Sequence, residues 1–293
     1  MARLALFVVF VLGTLEAFAQ LPQLYITSEG QGTLQLLNFN NDQLTTLYAI
    51  TGTPPDNKPD DLTLNSAGQL IYSVPDAGTV NLWDPATGIN TVLATGIGGA
   101  RDLEIEPGGQ TMLIAKYVDP AEIIRYSFVT GQWTVFFGKS AKLGTVDGIS
   151  YDEYGNLYAV SDHNTIVQIN PTTGAIIATL VLEPHSGING GDGLTYDYYT
   201  HSLWATHDGK NLGTGLLQIF VQPSGFQSTS SSGFVFFPLP TIKNVDGIKS
   251  DNEGNLYVGA IWTTFIYNIQ TNSITQNVVV KGADGVSLVP GTY

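Results

Sequence analysis

The stretch that decides the fold is Asp147-Gly148-Ile149-Ser150-Tyr151, an acidic residue and a glycine followed by alternating apolar and polar positions. Five other segments repeat this pattern, three with Asp-Gly and two with Asp60-Asp61 or Arg101-Asp102 in its place, and successive frames begin 41, 46, 45, 54 and 38 residues apart. A repeat of this length is typical of a four-stranded propeller blade. We call the first position of each frame the frame residue; the six are Asp60, Arg101, Asp147, Asp192, Asp246 and Asp284.

The residues after each frame predict three more strands. A turn containing glycine, such as Asp152-Glu153-Tyr154-Gly155, precedes a run rich in apolar and aromatic residues, such as Leu157-Tyr158-Ala159-Val160. Glycine supplies the positive φ that such hairpins need. Alternating strands and a second turn, Asn170-Pro171-Thr172-Thr173-Gly174 in this blade, complete the unit. The sequence therefore predicts an all-β, six-bladed propeller with four-stranded blades.

The two ends of the repeat predict how the ring closes. The sixth frame, at Asp284, is followed by too few residues for more than one strand. The segment from Leu24 to Ile50 has no frame but contains three candidate strands. We therefore expect the last blade to combine a C-terminal inner strand with three N-terminal strands, which leaves fewer exposed sheet edges than a linear solenoid would.

Composition and the N-terminus predict a secreted protein. Arg3 precedes an apolar run, and Ala17-Phe18-Ala19 has the form of a signal-peptidase site, so we expect a signal peptide over residues 1–19 and one propeller domain over residues 20–293. No later run is long enough for a membrane helix, and the net charge of −14 argues against nucleic acid as a partner. With no cysteine, stability must come from packing and ring closure. We expect a monomer.

The frames, the Gly-Asn-Leu-Tyr strands and the Asn-Pro-Thr-Thr-Gly turn resemble the gluconolactonase and regucalcin-like propeller superfamily. They are also similar to NHL-type propellers and to virginiamycin B lyase. In lactonase members a divalent cation, often calcium, is held by frame residues at one mouth of the channel. The resemblance implies that the corresponding residues here are Asp60, Asp147, Asp192, Asp246 and Asp284. The two asparagine ligands of that family are absent, and Arg101 occupies one frame position.

Propeller topology predicts which other residues lie at the mouth with the frame residues. We expect Arg101, His163 and His207 to be catalytic, with a histidine as general base and Arg101 stabilising a developing anion. The crowded carboxylates repel one another, and this repulsion must be relieved by protonation, by Arg101 or by a cation, of which calcium suits an oxygen ring best. The residues predicted to line the ligand site are Glu29, Lys116, Tyr117, His185 and Trp262.

Three functions remain open on the sequence alone. The first is a metal-dependent hydrolase of a lactone or related ester, acting on a small molecule at the mouth. The second is a non-catalytic propeller that binds a small molecule, glycan or protein, in which the Asp ring is structural. The third is a lyase or isomerase that acts on a secreted metabolite.

Overall fold

Six antiparallel sheets form the ring of a β-propeller in the computed structural model, which describes residues 21–52, 57–140, 143–182, 191–209 and 213–291. Each blade has four strands, and blade four has a short additional strand. This confirms the predicted fold class and blade number. The predicted signal peptide lies outside the described residues. Within those residues, no helix has the length and apolar character that crossing a membrane requires.

Each blade runs from an inner strand at the channel to an outer strand. Blades one and two comprise β4 Leu62–Leu64, β5 Leu70–Val74, β6 Thr79–Trp83, β7 Asn90–Thr95, β8 Ala100–Ile105, β9 Thr111–Lys116, β10 Ala121–Ser127 and β11 Gln132–Ser140. Blades three and four comprise β12 Val146–Tyr151, β13 Leu157–Ser161, β14 Thr165–Ile169, β15 Ile176–Val181, β16 Gly191–Asp197, β17 Ser202–Gly209, β18 Gly213–Gln222, β19 Gly225–Phe226 and β20 Phe234–Pro238. Blade five comprises β21 Val245–Ser250, β22 Asn255–Ala260, β23 Thr263–Asn268 and β24 Ser273–Val278.

Blade six closes the ring as the sequence predicts. Its strand order is β25 (Ala283–Leu288), β1 (Gln23–Ser28), β2 (Thr33–Asn38) and β3 (Gln43–Ala49), so that the C-terminal strand is innermost. Thr27 joins this blade to blade one, since its hydroxyl donates to the Asp60 carbonyl and accepts from the Gly285 amide at 2.7 Å. The Gly285 amide also donates to the Asp60 carbonyl at 3.0 Å. These contacts link both ends of the chain to the first frame.

The turn after an inner strand explains why Asp, Gly, Asn and Tyr recur at fixed spacing. The Asp152 carboxylate accepts from the Tyr154 and Asn156 amides, both at 2.9 Å, and from the Tyr158 hydroxyl at 3.0 Å. Gly155 supplies the positive φ of the same turn, +81°. An aspartate of this kind fixes the hairpin and satisfies the one polar atom of a buried tyrosine. Tyr158 is fully buried, which agrees with a packing role for the second-strand tyrosines.

Glycine at the second frame position allows neighbouring blades to meet at the channel. A Cβ on Gly148 would lie 2.4 Å from the Asp192 carbonyl oxygen, and a Cβ on Gly247 would lie 2.3 Å from that of Asp284. Gly193 makes the same close approach to the next blade. Glycine is not required at these positions by a positive φ or by turn geometry. It is required because the backbone of one blade packs directly on the backbone of the next.

The core lies between the blades. One buried cluster joins Leu113 of blade two to Val167 of blade three, and another joins Trp204 of blade four to Phe265 of blade five. Each sheet therefore buries both faces against its neighbours, which is how a chain without cysteine accumulates enough apolar contact to be stable.

Replacing Gly247 with alanine should destabilise the ring. The added methyl would overlap backbone that cannot move aside as a side chain can, so we expect the free energy of unfolding to fall by about 2 kcal/mol or more. Gly98→Ala is the matched control, because Gly98 is exposed and an added Cβ meets nothing within 4 Å. Urea unfolding of both variants measures the difference. Equal stabilities would contradict the importance of the backbone contact.

Candidate functional site

The frame residues converge at one mouth of the channel, because each begins an inner strand and the six inner strands surround the axis. Arg101 forms an ion pair with Asp60 through its Nη1 atom. Its pKa is raised by the charge of Asp60 and further by those of Asp246, Asp147 and Asp284. One guanidinium thus lies in the field of four frame carboxyls. We call this group of six frame residues the acidic mouth.

A small cavity lies at the centre of the acidic mouth. Its volume is about 20 Å³, room for about one water molecule. Carboxyls from five blades line it, together with inner-strand glycines and one lysine. These charged lining residues are Asp60, Asp61, Asp102, Asp147, Asp192, Asp246 and Lys249.

Burial and mutual repulsion make these carboxyls hold protons. Burial raises the pKa of Asp60 to about 7, against the lowering effect of Arg101 and with the further repulsion of Asp246 and Glu29. The pKa values of Asp147, Asp192 and Asp284 are also raised well above their usual range, first by burial and then by neighbouring aspartates. The raised pKa values favour protonation, and Arg101 places a positive charge among these carboxyls, so both can relieve the expected repulsion.

Tyr117 covers Arg101 from the solvent side. The guanidinium carbon lies 4.9 Å from the centre of the tyrosine ring, within the range of a cation–π contact. Burial, followed by the charges of Asp147 and Asp162, raises the pKa of Tyr117. The ring is nevertheless 40% exposed. Tyr117 therefore presents an open aromatic face at the mouth, where the sequence predicted a ligand-lining residue.

Three buried polar atoms of the acidic mouth have no hydrogen-bond partner in the part of the chain that the structure describes. They are Asp147 Oδ2, Asp284 Oδ2 and Arg101 Nε. A buried polar atom without a partner costs free energy, so such atoms commonly mark a place where a ligand, ion or water belongs.

The oxygen ligands of the acidic mouth are of the type that a metal ion binds, but the positions of the described side chains do not suit one. All-oxygen ligands suit calcium. Among the described residues, however, no three or more acidic or histidine side chains converge as a metal-binding group. The Arg101 guanidinium already supplies a cation among these carboxyls. Among the described residues, the frame carboxyls therefore do not converge as a resident metal ion would require.

The two predicted histidine catalysts differ in their access to the mouth. His207 is fully buried, and its ring centre lies 5.8 Å from that of Phe236. This burial does not favour the predicted role of His207 in activating water at the mouth, and that role stays a prediction. The His163 side chain is 47% exposed, and its Nε2 lies 4.0 Å from Asp162 Oδ1. A catalytic role for His163 stays a prediction.

The predicted ligand-lining residues also differ in whether they can contact a ligand at the mouth. Glu29 forms an ion pair with Lys58 at 3.1 Å, and its charge raises the pKa of Asp60, which places it beside the mouth. Trp262 is 61% exposed and follows the second strand of blade five. Lys116 is held at 2.6 Å by Glu122 and is mostly buried, so it is not free to contact a ligand. His185 lies outside the described residues.

A second charged layer lies deeper in the channel and was missed by the sequence analysis. Asp61 and Asp102 occupy the frame position that is glycine in the other blades, and each accepts a backbone amide of the next blade, Leu103 and Ile149 respectively. Glu104 and Lys249 face the same stretch of channel from opposite blades. The sequence did contain a signal for this layer. Asp replaces Gly at the second frame position in two frames only, and a charged residue replaces Ser or Thr at the fourth position in two frames only.

The raised carboxyl pKa values predict that the protein becomes more stable as it is acidified from pH 8 to pH 5. A carboxyl whose pKa is higher in the folded state contributes stability at low pH and loses it as the pH rises through about 7, the value for Asp60. Asp147→Asn removes one such group, so it should raise the free energy of unfolding at pH 8 by about 1 kcal/mol or more and flatten the pH dependence. Urea unfolding across this range measures both effects. Asp42→Asn, on the exposed surface, should change neither.

Comparisons with known proteins place the chain by fold. No protein-family model matches it, and no curated protein matches its sequence significantly. A propeller in the crystal structure of a nidogen/laminin complex is 14% identical with a TM-score of 0.70, over 92% of this chain and 98% of that one. Virginiamycin B lyase from Staphylococcus aureus is 18% identical with a TM-score of 0.60, over 90% of this chain and 84% of that one.

A streptogramin B lyase is 13% identical with a TM-score of 0.62, over 92% of this chain and 87% of that one. The predicted similarity to lyase-type propellers is thus confirmed at the level of fold. None of these proteins supports the gluconolactonase assignment by name. The chain is a six-bladed β-propeller that shares its architecture with these two lyases and with a propeller of the nidogen/laminin complex.

Proposed function

We propose that this protein is a secreted propeller that binds a small cationic molecule in the acidic mouth, in exchange for protons. The observation that carries the proposal is the pair of buried, unpartnered oxygens Asp147 Oδ2 and Asp284 Oδ2 in a ring of five carboxyls that contains a single arginine. Both oxygens belong to carboxyls whose raised pKa values favour protonation, so a bound cation would compete with protons there.

An organic ammonium group fits this deficit better than a metal ion does. It offers several N–H donors to separate oxygens, and it does not require three carboxylates to converge within one coordination sphere. The exposed face of Tyr117 supplies an aromatic surface next to the carboxyls, which favours a cation at the rim. The ligand is therefore expected to be an amine with an apolar body.

Calorimetric titration at pH 7.5 with 1,4-diaminobutane, and separately with calcium chloride, tests the proposal. We expect the diamine to bind and to release protons, which appears as a dependence of the measured heat on the ionisation enthalpy of the buffer. Affinity should fall about tenfold at pH 5.5, because protons then compete more strongly.

Asp147→Asn should weaken diamine binding by about tenfold, whereas the control Asp42→Asn should not change it. Binding of calcium but not of the amine would replace the organic ligand by a metal. If neither probe binds at concentrations of about 10 mM, the acidic mouth is structural and the proposal fails.

A second candidate is acid–base catalysis on a lactone or related ester. The favouring observation is Asp60, which has a pKa raised to about 7 and contacts Arg101. A group with this pKa can take a proton from water and return it to the leaving oxygen, while the unpartnered Nε of Arg101 donates to the carbonyl. Asp60 would then perform the role that the sequence assigned to a histidine. A lyase reaction needs the same acid–base pair.

Turnover of a panel of γ- and δ-lactones, followed by base uptake in a pH-stat, distinguishes catalysis from binding. If the candidate is correct, Asp60→Asn lowers kcat by about a hundredfold or more while Asp42→Asn leaves it unchanged. Absence of turnover throughout the panel would contradict a hydrolase and leave the binding proposal standing.

A further inference from the structure

The opposite end of the channel holds a larger cavity than the acidic mouth does. Its volume is about 410 Å³, within the range of small-molecule sites. It lies where the inner strands of blades two to five end. We call it the tyrosine cavity, and its principal lining residues are Glu104, Tyr151, Thr195, Tyr196, Tyr198 and Lys249.

The tyrosine cavity is separate from the acidic mouth. Lys249 lines both spaces, so the layer formed by Lys249, Glu104, Asp61 and Asp102 divides the channel between them. A molecule in the tyrosine cavity therefore does not contact the frame residues of the acidic mouth. The cavity therefore requires its own account.

The tyrosine rings are held in place before any ligand arrives. The Tyr151 hydroxyl donates to Glu106 at 2.8 Å, and Arg125 fixes that glutamate through two hydrogen bonds of 2.6 and 2.8 Å. The Tyr196 hydroxyl donates to Glu153 at 3.0 Å.

Tyr198 lies at the rim and is 53% exposed. Its ring packs edge-to-face on Tyr196 at 5.0 Å, and its amide donates to Asn252 Oδ1 at 3.1 Å. Rings fixed in this way lose little conformational entropy when they bind a ligand.

The floor of the cavity offers hydrogen-bonding groups of both kinds. Among the described residues, the Lys249 ammonium has no hydrogen bond or ion pair within 4 Å, and the Glu104 carboxyl accepts from the Tyr151 backbone amide. Lys249 and Glu104 each influence the pKa of the other. Lys249 offers three donors, and Glu104 offers acceptors or, when protonated, a further donor. Thr195 adds a hydroxyl on the same wall.

We propose that the tyrosine cavity binds a neutral pyranose sugar, such as the terminal residue of a glycan. A pyranose combines an apolar C–H face with a rim of hydroxyls. The C–H face matches a preformed tyrosine surface, and the hydroxyls match paired donors and acceptors such as Lys249 and Glu104. An anionic ligand fits less well, because Lys249 already faces the carboxyls of Glu104, Asp102 and Asp61.

Saturation-transfer NMR and calorimetry on the full chain test this proposal. The probes are methyl pyranosides of glucose, mannose, galactose and N-acetylglucosamine, with sodium glucuronate as the charged counterpart. We expect at least one neutral sugar to bind, and we expect Tyr198→Ala to weaken it about tenfold. Tyr154→Ala is the matched control, because Tyr154 is an exposed tyrosine in a nearby turn and does not line the cavity.

Lys249→Met should weaken sugar binding as well, and Tyr198→Ala keeps the test decisive if the lysine variant does not fold. Asp147→Asn should leave sugar binding unchanged, which makes failure here distinguishable from failure of the proposed function. Three results would overturn the proposal: no neutral sugar binds at about 10 mM, glucuronate binds more tightly than every neutral sugar, or Tyr198→Ala binds as the wild type does.

Discussion

The backbone contact between successive inner strands is the constraint on which the rest of this structure depends. Gly148, Gly193 and Gly247 let one blade rest on the next at distances that no side chain tolerates. This contact brings the frame residues to the axis together. The crowding of carboxyls at the acidic mouth is therefore a consequence of ring geometry, and every electrostatic property of the channel follows from it.

The protein resolves this crowding with its own residues. Arg101 replaces one carboxyl with a cation at the acidic mouth, and Lys249 places a second cation among the deeper carboxyls. Burial raises the pKa values of Asp60 and Asp147, which favours their neutral forms. We expect the charge of the mouth to change with pH, and the proposed cationic ligand would compete with its protons.

The sequence predicts the architecture well because the frames recur at blade length, and even the shared sixth blade follows from where the frames stop and start. Side-chain direction is harder to predict. His207 and His163 occupy equivalent places in the repeat, yet His207 is buried because the ring of Phe236 lies over Gly215 and against it. That arrangement depends on the pairing of β18 with β20 across an insertion of irregular length, which a repeat pattern does not specify.

The deeper layer escaped prediction for a different reason. Glycine at the second frame position allows close contact between blades, so the sequence alone assigns no partner to the two aspartates that replace it. In the structure, the carboxyls of Asp61 and Asp102 accept backbone amides of the next blade. The tyrosine cavity likewise assembles residues from four blades that are far apart in the sequence. Only the closed ring places them around one space.

The joining of β25 to β1 also determines how the molecule comes apart. In an open solenoid the end modules fray first, and damage spreads inward from them. Here the terminal strands lie side by side in a single blade, and the ring has no free end module. Loss of β25 would uncover the inner edge of β1 and part of the channel wall together. The integrity of the whole ring therefore depends on this one strand pairing.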